Sequence, residues 1–96
     1  PKDVDVLITH GPVHNILDFV PYDGGQNVGC KDLKNTILTL SKLKVHICGH
    51  IHYSQGENFH NGIHYINASV LDDQYTLKNQ PVNLILDEKT KEITFV

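Results

Sequence analysis

The sequence predicts an α/β fold in which a βαβ unit is followed by strands of mixed or antiparallel direction. Two short apolar runs, residues 4–9 and 45–48, have the length and β-branched composition of buried strands. Between them, residues 32–42 carry apolar side chains at spacings of four and three residues, the pattern of an amphipathic helix. A strand, a crossover helix and a second strand give a right-handed βαβ unit with parallel strands.

Length, charge and cysteine content limit the classes of protein to which the chain can belong. Its 96 residues, 40% of them apolar, are enough for one small domain. Eight basic and eleven acidic residues are spread along the chain, and the net charge of −3 argues against a nucleic-acid-binding surface. No apolar run approaches the ~20 residues that cross a membrane. Two cysteines without a CxxC motif favour a reducing compartment, so we expect a cytoplasmic protein.

Three histidines follow the two predicted strands directly. His10 stands at the end of the first strand, and His50 and His52 follow the second strand after Gly49. Because parallel neighbours end at the same edge of a sheet, we expect these side chains to lie close together. Side chains alternate in extended backbone, so His50 and His52 can point the same way. Imidazole is the commonest ligand for metals such as zinc, which predicts a shared metal site; solvated loop histidines are the alternative.

The remaining segments are predicted from turn residues and from alternation. Residues 11–31 are rich in proline and glycine and are expected to form a long loop, which in a compact domain is usually functional or disordered. A second, polar loop is expected over 53–61, and residues 70–80 are expected to be irregular. Three later stretches have the pattern of strands, the last two joined by a polar hairpin connection: residues 62–69, 82–86 and 92–96.

The motifs at the strand ends carry a resemblance to a known family. His10-Gly11-Pro12 at one strand end, then a helix, then Gly49-His50-Ile51-His52 resembles the C-terminal half of the calcineurin-like metallophosphoesterases. Within that superfamily the chain looks most similar to cyclic-nucleotide-phosphodiesterase-type and brain metallophosphoesterase-domain proteins. Further stretches extend the resemblance over almost the whole chain: residues 28–30, 62–69, Tyr75 and 79–82.

The resemblance implies a dinuclear metal centre at the sheet edge of a four-layer α/β/β/α sandwich. By position, His10 and His50 would bind one metal ion and His52 the other. Four further residues would lie beside the site, Asn67 in a structural role: Gly11, His14, Gly49 and Asn67. Two divalent ions would polarise the phosphoryl oxygens of a phosphodiester, cyclic nucleotides included, and would activate water. Imidazole and carboxylate ligands suit Mn, Fe, Zn or Ni, so the identity of the metal stays open.

Part of the family's pattern is missing from this sequence. The earlier motifs Asp-x-His, Gly-Asp-x-x-Asp and Gly-Asn-His-Asp/Glu do not occur in it, and they would supply the bridging carboxylate and further ligands. We therefore expect residues 1–96 to form one partial domain, the C-terminal half of a phosphoesterase domain, and to be a poor enzyme alone. Self-association could cover apolar surface that the missing half leaves open.

Three functional hypotheses remain after these observations. The first is a fragment of a metal-dependent phosphoesterase that hydrolyses a small phosphodiester, with His10, His50 and His52 as metal ligands. The second is a non-catalytic metal-binding or protein-interaction module derived from the same fold, which the missing carboxylates favour. The third is a plain βαβ-containing binding domain without metal, which leaves the coincidence of the strand-end histidines unexplained.

Other polar residues and the cysteines are interpreted structurally. His46 lies within a predicted strand, so we expect it to be hydrogen-bonded in or beside the core. His14 could lean over the site, but a solvated loop position is the favoured interpretation. Cys30 and Cys48 have no base at a defined spacing and are expected to be small buried side chains. The adjacent pair Asp72-Asp73 is expected to face water.

Overall fold

The computed structural model describes residues 2–96 and has a mixed α/β fold with a mostly parallel central sheet. The elements follow one another in the order β1 (Val6–Ile8), β2 (Phe19–Val20), β3 (Gln26–Asn27), α1 (Lys31–Ile37), β4 (Val45–Cys48), β5 (Gly56–His60), β6 (Ile63–Asn67), β7 (Leu84–Leu86) and β8 (Ile93–Phe95). Within residues 2–96, no helix has the length and apolar character needed to cross a membrane.

The central sheet has the strand order β1-β4-β6-β5. Strands β1, β4 and β6 are parallel, and β5 runs antiparallel to β6. Because α1 lies between β1 and β4 in the chain, the predicted βαβ connection with parallel strands is confirmed. Val6 is in register with Val45, and Ile8 with Ile47, so both strands end together at one edge of the sheet.

One face of the sheet packs against α1 and the segment before it. In register across three strands, Leu7, His46 and Tyr65 share this face. Ile37 from the apolar stripe of α1 packs with Tyr65 in the main core cluster, and Leu43 joins them. Full burial of an aliphatic side chain such as Ile37 or Leu43 contributes about 1.5–3 kcal/mol to stability.

The opposite face is covered in part by the β7–β8 hairpin, which forms a separate two-stranded sheet. The ring of Phe95 contacts the ring of His64 on this face, with the ring centroids 5.4 Å apart. The hairpin is also tied to the chain before β1, because Lys91 Nζ donates to Asp5 Oδ2 at 3.0 Å. Ile8 remains 72% exposed at the end of β1.

Helix α1 is shorter than the predicted range 32–42, because it begins at Lys31 and ends at Ile37. Asp32 stands in its first turn, where a carboxylate favours the positive end of the helix. At the other end, the backbone N–H and the hydroxyl of Thr39 both donate to the carbonyl of Thr36, at 2.9 and 2.7 Å. These bonds tighten the chain into a turn with i→i−3 geometry, which stops the α-helix.

Both predicted loops contain short strands, so the prediction of loops without strands was wrong. Within residues 11–31, β2 and β3 pair antiparallel around a tight turn at Tyr22–Gly24. Within 53–61, β5 forms an edge of the central sheet. All of β5 after Gly56 is exposed, and a strand that is exposed on both faces carries no apolar alternation from which it can be predicted.

The expectation of two buried cysteines is correct for only one of them. Cys48 is buried at the end of β4, and this burial raises the pKa of its thiol to about 11. Cys30 is exposed, because it occupies the position before α1, where its Sγ accepts a hydrogen bond from the backbone N–H of Leu33 at 3.3 Å. Cys30 therefore caps the helix.

Candidate metal centre

The chain segments that follow β1 and β4 are hydrogen-bonded to each other beyond the strands. The backbone N–H of Thr9 donates to the carbonyl of Ile47, and that of Gly49 donates to the carbonyl of His10, each at 3.0 Å. These two bonds extend the parallel pairing past the ends of both strands. The segments that contain His10 and His50 therefore leave the sheet from fixed, neighbouring positions.

The imidazoles of His10 and His50 are brought together at this edge. Their ring centroids are 4.3 Å apart and their planes are inclined by 34°. Both residues are exposed, so the pair lies at the surface of the protein. A Cβ at Gly11 would lie 4.0 Å from Cδ2 of His50, which places Gly11 directly beside this pair.

His50 is held in an unusual backbone conformation. Its φ is +70°, and the backbone N–H of Ile51 donates to the carbonyl of Gly49 at 2.8 Å, which closes a three-residue turn around His50. Three-residue turns with a positive central φ are rare and strained. Such strain is concentrated at functional sites, because surrounding contacts must hold the residue in place. The turn thus directs the His50 ring toward His10.

The ring of His52 is oriented by a backbone carbonyl. Its Nδ1 lies 2.9 Å from the carbonyl oxygen of Asp72, which can only accept a hydrogen bond, so Nδ1 carries the proton and donates. The other nitrogen, Nε2, is then left with its lone pair. Histidines that bind metals commonly donate the second ring N–H to a carbonyl in this way. The hydrogen bond to Asp72 therefore gives His52 the arrangement that a ligand binding through Nε2 requires.

The predicted ligands do not form one compact cluster of three. Within residues 2–96, no three side chains of His, Cys, Asp and Glu converge closely enough to hold a metal ion. The structure pairs His10 with His50, and His52 lies outside that pair. The pair supplies two imidazoles, whereas zinc usually takes four ligands. Remaining ligands would have to come from elsewhere.

Asn67 ties the end of β6 to the segment that carries the histidines. It is 0% exposed, and its Nδ2 donates to the carbonyls of Leu17 at 3.2 Å and Ile51 at 2.8 Å. Its Oδ1 accepts hydrogen bonds from the backbone N–H and the hydroxyl of Ser69, at 3.2 and 2.7 Å. Both the nitrogen and the oxygen of the amide are thus hydrogen-bonded. The side chain fixes Ile51, which lies between His50 and His52 in the chain.

His46 lies in the core and is hydrogen-bonded there, as predicted. Its Nε2 is 2.8 Å from Oγ1 of Thr9, and that hydroxyl donates to the carbonyl of Gly11 at 2.7 Å. Because the hydroxyl proton is used on Gly11, Nε2 of His46 must carry the proton that it donates to Thr9. Burial lowers the pKa of His46 to about 4, so the ring is neutral at pH 7.

His14 contacts an aspartate that sequence reasoning did not single out. Its Nδ1 is buried, lies 3.8 Å from Oδ2 of Asp18, and has no hydrogen-bond partner in the described residues. Asp18 is 1% exposed, and its Oδ2 accepts from the backbone N–H groups of Asn15 and Gly29, at 2.9 and 2.8 Å. A single acidic residue in a predicted loop gives no sequence signal for such burial. His14 itself is half-buried, so its interpretation as a solvated loop residue was wrong.

Residues Asp72 and Asp73 lie at the surface, as expected, and both also accept hydrogen bonds there. Oδ1 of Asp72 accepts from the backbone N–H groups of Thr76 and Gln74, each at 2.9 Å, and these bonds lower the pKa of Asp72. Oδ2 of Asp73 accepts a hydrogen bond from the hydroxyl of Tyr53 at 3.1 Å. Asp72 therefore builds the turn that follows it, and Asp73 anchors an aromatic side chain.

A cavity of about 250 Å³ adjoins the histidines and is lined by aromatic side chains that sequence reasoning also missed. The rings of Tyr22 and Tyr53 meet edge to face with centroids 5.5 Å apart. Tyr22 donates to the hydroxyl of Tyr53 at 3.3 Å, and this bond together with Asp73 raises the pKa of Tyr53. The lining residues are Val20, Tyr22, His50, Ile51, His52, Tyr53, Asp73 and Tyr75.

Comparison with known proteins identifies relatives of the chain. No protein-family model matches it. It is 42% identical over 82 residues to metallophosphoesterase domain-containing protein 1 of Homo sapiens and to the Mus musculus protein of the same name. It is 37% identical over 82 residues to a UPF0046 protein of Caenorhabditis elegans. The alignments cover 85% of this chain and 25%, 25% and 20% of the respective relatives, so the chain spans about a quarter of their length or less. The chain is therefore a relative of the metallophosphoesterase-domain proteins, as the motifs at its strand ends predicted.

Proposed function

We propose that the chain is part of a metal-dependent phosphoesterase that hydrolyses phosphodiesters, with cyclic nucleotides among its candidate substrates. The observation that carries the proposal is the pair of imidazoles of His10 and His50, 4.3 Å apart at the carboxyl ends of two parallel strands. Ligands in open α/β sheets bind at this edge. The name of the human and mouse relatives supports the same reaction class.

In this proposal the three histidines are metal ligands. His10 and His50 hold one divalent ion, and His52 holds a second through Nε2. When bound, the two ions supply polarisation of the phosphoryl oxygens and activation of water. The strained turn at His50 and the bond from His52 to the Asp72 carbonyl fix the rings in advance, which reduces the ordering cost of binding. The ligand chemistry suits Mn, Fe, Zn or Ni.

The proposal includes a larger fold around the chain. We place the sheet within a four-layer α/β/β/α sandwich, with the missing carboxylate ligands supplied by a further segment or a second copy. Two features support this placement. The site has imidazole ligands without a carboxylate partner in the described residues. The face of the sheet that bears Ile8 is only partly covered, with this side chain 72% exposed, and apolar surface of this kind favours an additional layer.

Metal binding by the chain tests the assignment of the ligands. After equilibration with Mn²⁺ or Zn²⁺, element-specific detection gives the number of ions per chain, and titration gives the dissociation constant. We expect one weakly held ion at His10 and His50, and His10→Ala or His50→Ala to weaken its binding by about tenfold or more, because each removes one of two ligands. His60→Ala is the matched control, since His60 is exposed on β5.

Each outcome of the titration has a direct meaning. Loss of affinity in both variants with an unchanged His60→Ala variant supports the site. Equal affinity in all four proteins would contradict it. Near two ions per chain would mean that further ligands are present, and His52→Ala should then remove one of the two ions.

A second candidate, a non-catalytic metal-binding or interaction module, is favoured by one observation. In the part of the chain that the structure describes, no carboxylate joins the imidazole pair. Turnover of bis(p-nitrophenyl) phosphate by the metal-loaded protein separates the two functions. The protein in this assay contains the carboxylate motifs as well as this chain. Bound metal without turnover then favours the module. Turnover that His50→Ala abolishes favours the enzyme.

A further inference from the structure

We infer that the cavity beside the histidines binds a planar aromatic group of the substrate, and that Tyr75 is the residue that determines this preference. The inference rests on the proposed function, because it assigns the substrate class of the same site. It concerns a part of the substrate that does not react: the phosphoryl group lies at the histidines, and the aromatic group attached to it lies between the tyrosines.

The composition of the cavity is the first support. His50 and His52 line it together with Tyr22, Tyr53 and Tyr75, which are three of the four tyrosines in the chain. Its volume of about 250 Å³ exceeds the roughly 150 Å³ that accommodates a benzene molecule in an apolar protein cavity. Tyrosine rings supply large, rigid contact faces for another ring. The histidine side of the cavity therefore carries groups that can bind a metal. The tyrosine side offers contact surface for a flat group.

The conformation of Tyr75 is the second support. Tyr75 has a φ of +62° and is 77% exposed, although a bulky side chain at positive φ is a strained arrangement. Three hydrogen bonds to Asp72 hold it: its own N–H donates to the carbonyl at 3.0 Å, and the N–H groups of Gln74 and Thr76 donate to the carboxylate. The turn thus holds the exposed ring of Tyr75 against the ring of His52. The two rings meet edge to face, with their centroids 5.3 Å apart.

The distribution of charge orients the substrate within the cavity. The carboxylate of Asp73 accepts the hydroxyl of Tyr53 at 3.1 Å and gives this wall a negative charge, which repels a phosphate. The hydrogen bonds from Tyr22 to Tyr53 and from Tyr53 to Asp73 also fix the two rings edge to face. A phosphate is therefore favoured at the histidines, and an uncharged ring is favoured at the tyrosines.

NMR titration of the zinc-loaded chain with pairs of phosphoesters tests the inference. The dissociation constants of the two members of each pair are compared. Phenyl phosphate and methyl phosphate differ in the aromatic ring, and adenosine 5′-monophosphate and ribose 5-phosphate differ in the base. We expect each aromatic ligand to bind about three- to tenfold more tightly than its non-aromatic counterpart. Tyr75→Asn should reduce this preference to less than about twofold, since asparagine tolerates positive φ and keeps the turn. Phe59→Ala removes another exposed ring and is the control.

The outcomes separate this inference from the proposed function. A preference for the aromatic member of either pair, lost in Tyr75→Asn and kept in Phe59→Ala, supports the inference; the pair that shows it distinguishes a nucleobase from a simple aryl group. Equal binding of aromatic and non-aromatic ligands by a chain that does bind zinc would overturn the inference alone. A chain that binds no zinc at His10 and His50 contradicts the proposed function, and it overturns the inference that rests on it.

Discussion

The buried His46 ring is hydrogen-bonded to Thr9, with 2.8 Å between Nε2 and Oγ1. The same hydroxyl donates to the carbonyl of Gly11 at 2.7 Å, so two consecutive bonds link the core of the sheet to the turn after β1. His10 lies between Thr9 and Gly11 in the chain. The position of a candidate metal ligand is thus determined by a histidine that does not itself face the site.

Replacement of Thr9 by valine tests this link. Thr9→Val keeps the shape of the side chain but leaves the N–H of His46 and the carbonyl of Gly11 without their partner. We expect the free energy of unfolding, measured by urea denaturation, to fall by about 1–3 kcal/mol. Thr9→Ser is the control, because serine can make both bonds. Equal stability of the valine and serine variants would show that the hydroxyl is not required.

Stability should also depend on pH through His46. Burial lowers its pKa from 6.5 to about 4, so between these values the unfolded chain binds a proton that the folded chain does not. Stability therefore rises with pH across this window and is lost as the pH falls from about 6.5 to 4. The full difference is roughly 3 kcal/mol. Urea denaturation at pH 7, 6, 5 and 4.5 measures it.

A second variant assigns this dependence to His46. His46→Gln cannot titrate, so its stability should change less over the same window than that of the unaltered chain. The pKa of Asp72 and the pKa of Asp87 are both lowered by backbone hydrogen bonds, so their contributions are lost only as the pH falls below 3.8, outside this window. An identical pH profile in both proteins would be evidence against a neutral, buried His46.

Removal of the Asn67 side chain should destabilise the segment that carries the histidines. Asn67→Ala leaves the carbonyl of Leu17 and the hydroxyl of Ser69 without partners near the core, and it removes the shorter of two hydrogen bonds to the carbonyl of Ile51. We expect a loss of about 2–4 kcal/mol in the free energy of unfolding. Asn58→Ala is the matched control, since Asn58 is exposed on β5, and its effect should stay within about 0.5 kcal/mol. Similar losses in both variants would contradict a bridging role for Asn67.

The parts of the site that could be predicted from the sequence are those determined by strand ends. The run 45–48 forms a strand with the predicted bounds, and parallel pairing with β1 brings His10 and His50 together. This inference needs only local patterns and the rule that parallel strands end at the same edge. Strand ends alone do not determine side-chain conformation, so they predicted all three histidines close together and did not predict that His52 lies outside the pair.

The parts that could not be predicted depend on contacts between distant residues. Tyr22 meets Tyr53 across 31 positions, and Tyr53 meets Asp73 across 20, without a periodic pattern that relates them. The burial of Asp18 likewise depends on a backbone N–H eleven residues later, at Gly29. Edge strand β5 was missed for another reason, since its exposed faces carry no apolar alternation.

Gly29 provides a last prediction, because the chain passes very close to it. A Cβ at this position would collide with the carbonyl group of Val13 and lie 2.6 Å from the backbone nitrogen of His14. Backbone atoms cannot move aside as a flexible side chain can, and Val13 is also paired with Cys30 across this contact. Gly29→Ala should therefore separate the two segments and lower the free energy of unfolding by about 3 kcal/mol or more.

The control for Gly29 lies at the other end of the same region. A Cβ at Gly11 has its nearest neighbour, Cδ2 of His50, at 4.0 Å, so Gly11→Ala should be tolerated within about 0.5 kcal/mol. Thermal and urea denaturation of both variants measure the difference. The N–H of Gly29 donates to Asp18, so the collision should also free this buried carboxylate and disturb its contact with His14. If the two alanine variants are equally stable, the close packing of Val13 against Gly29 cannot be what holds residues 13–30 in place.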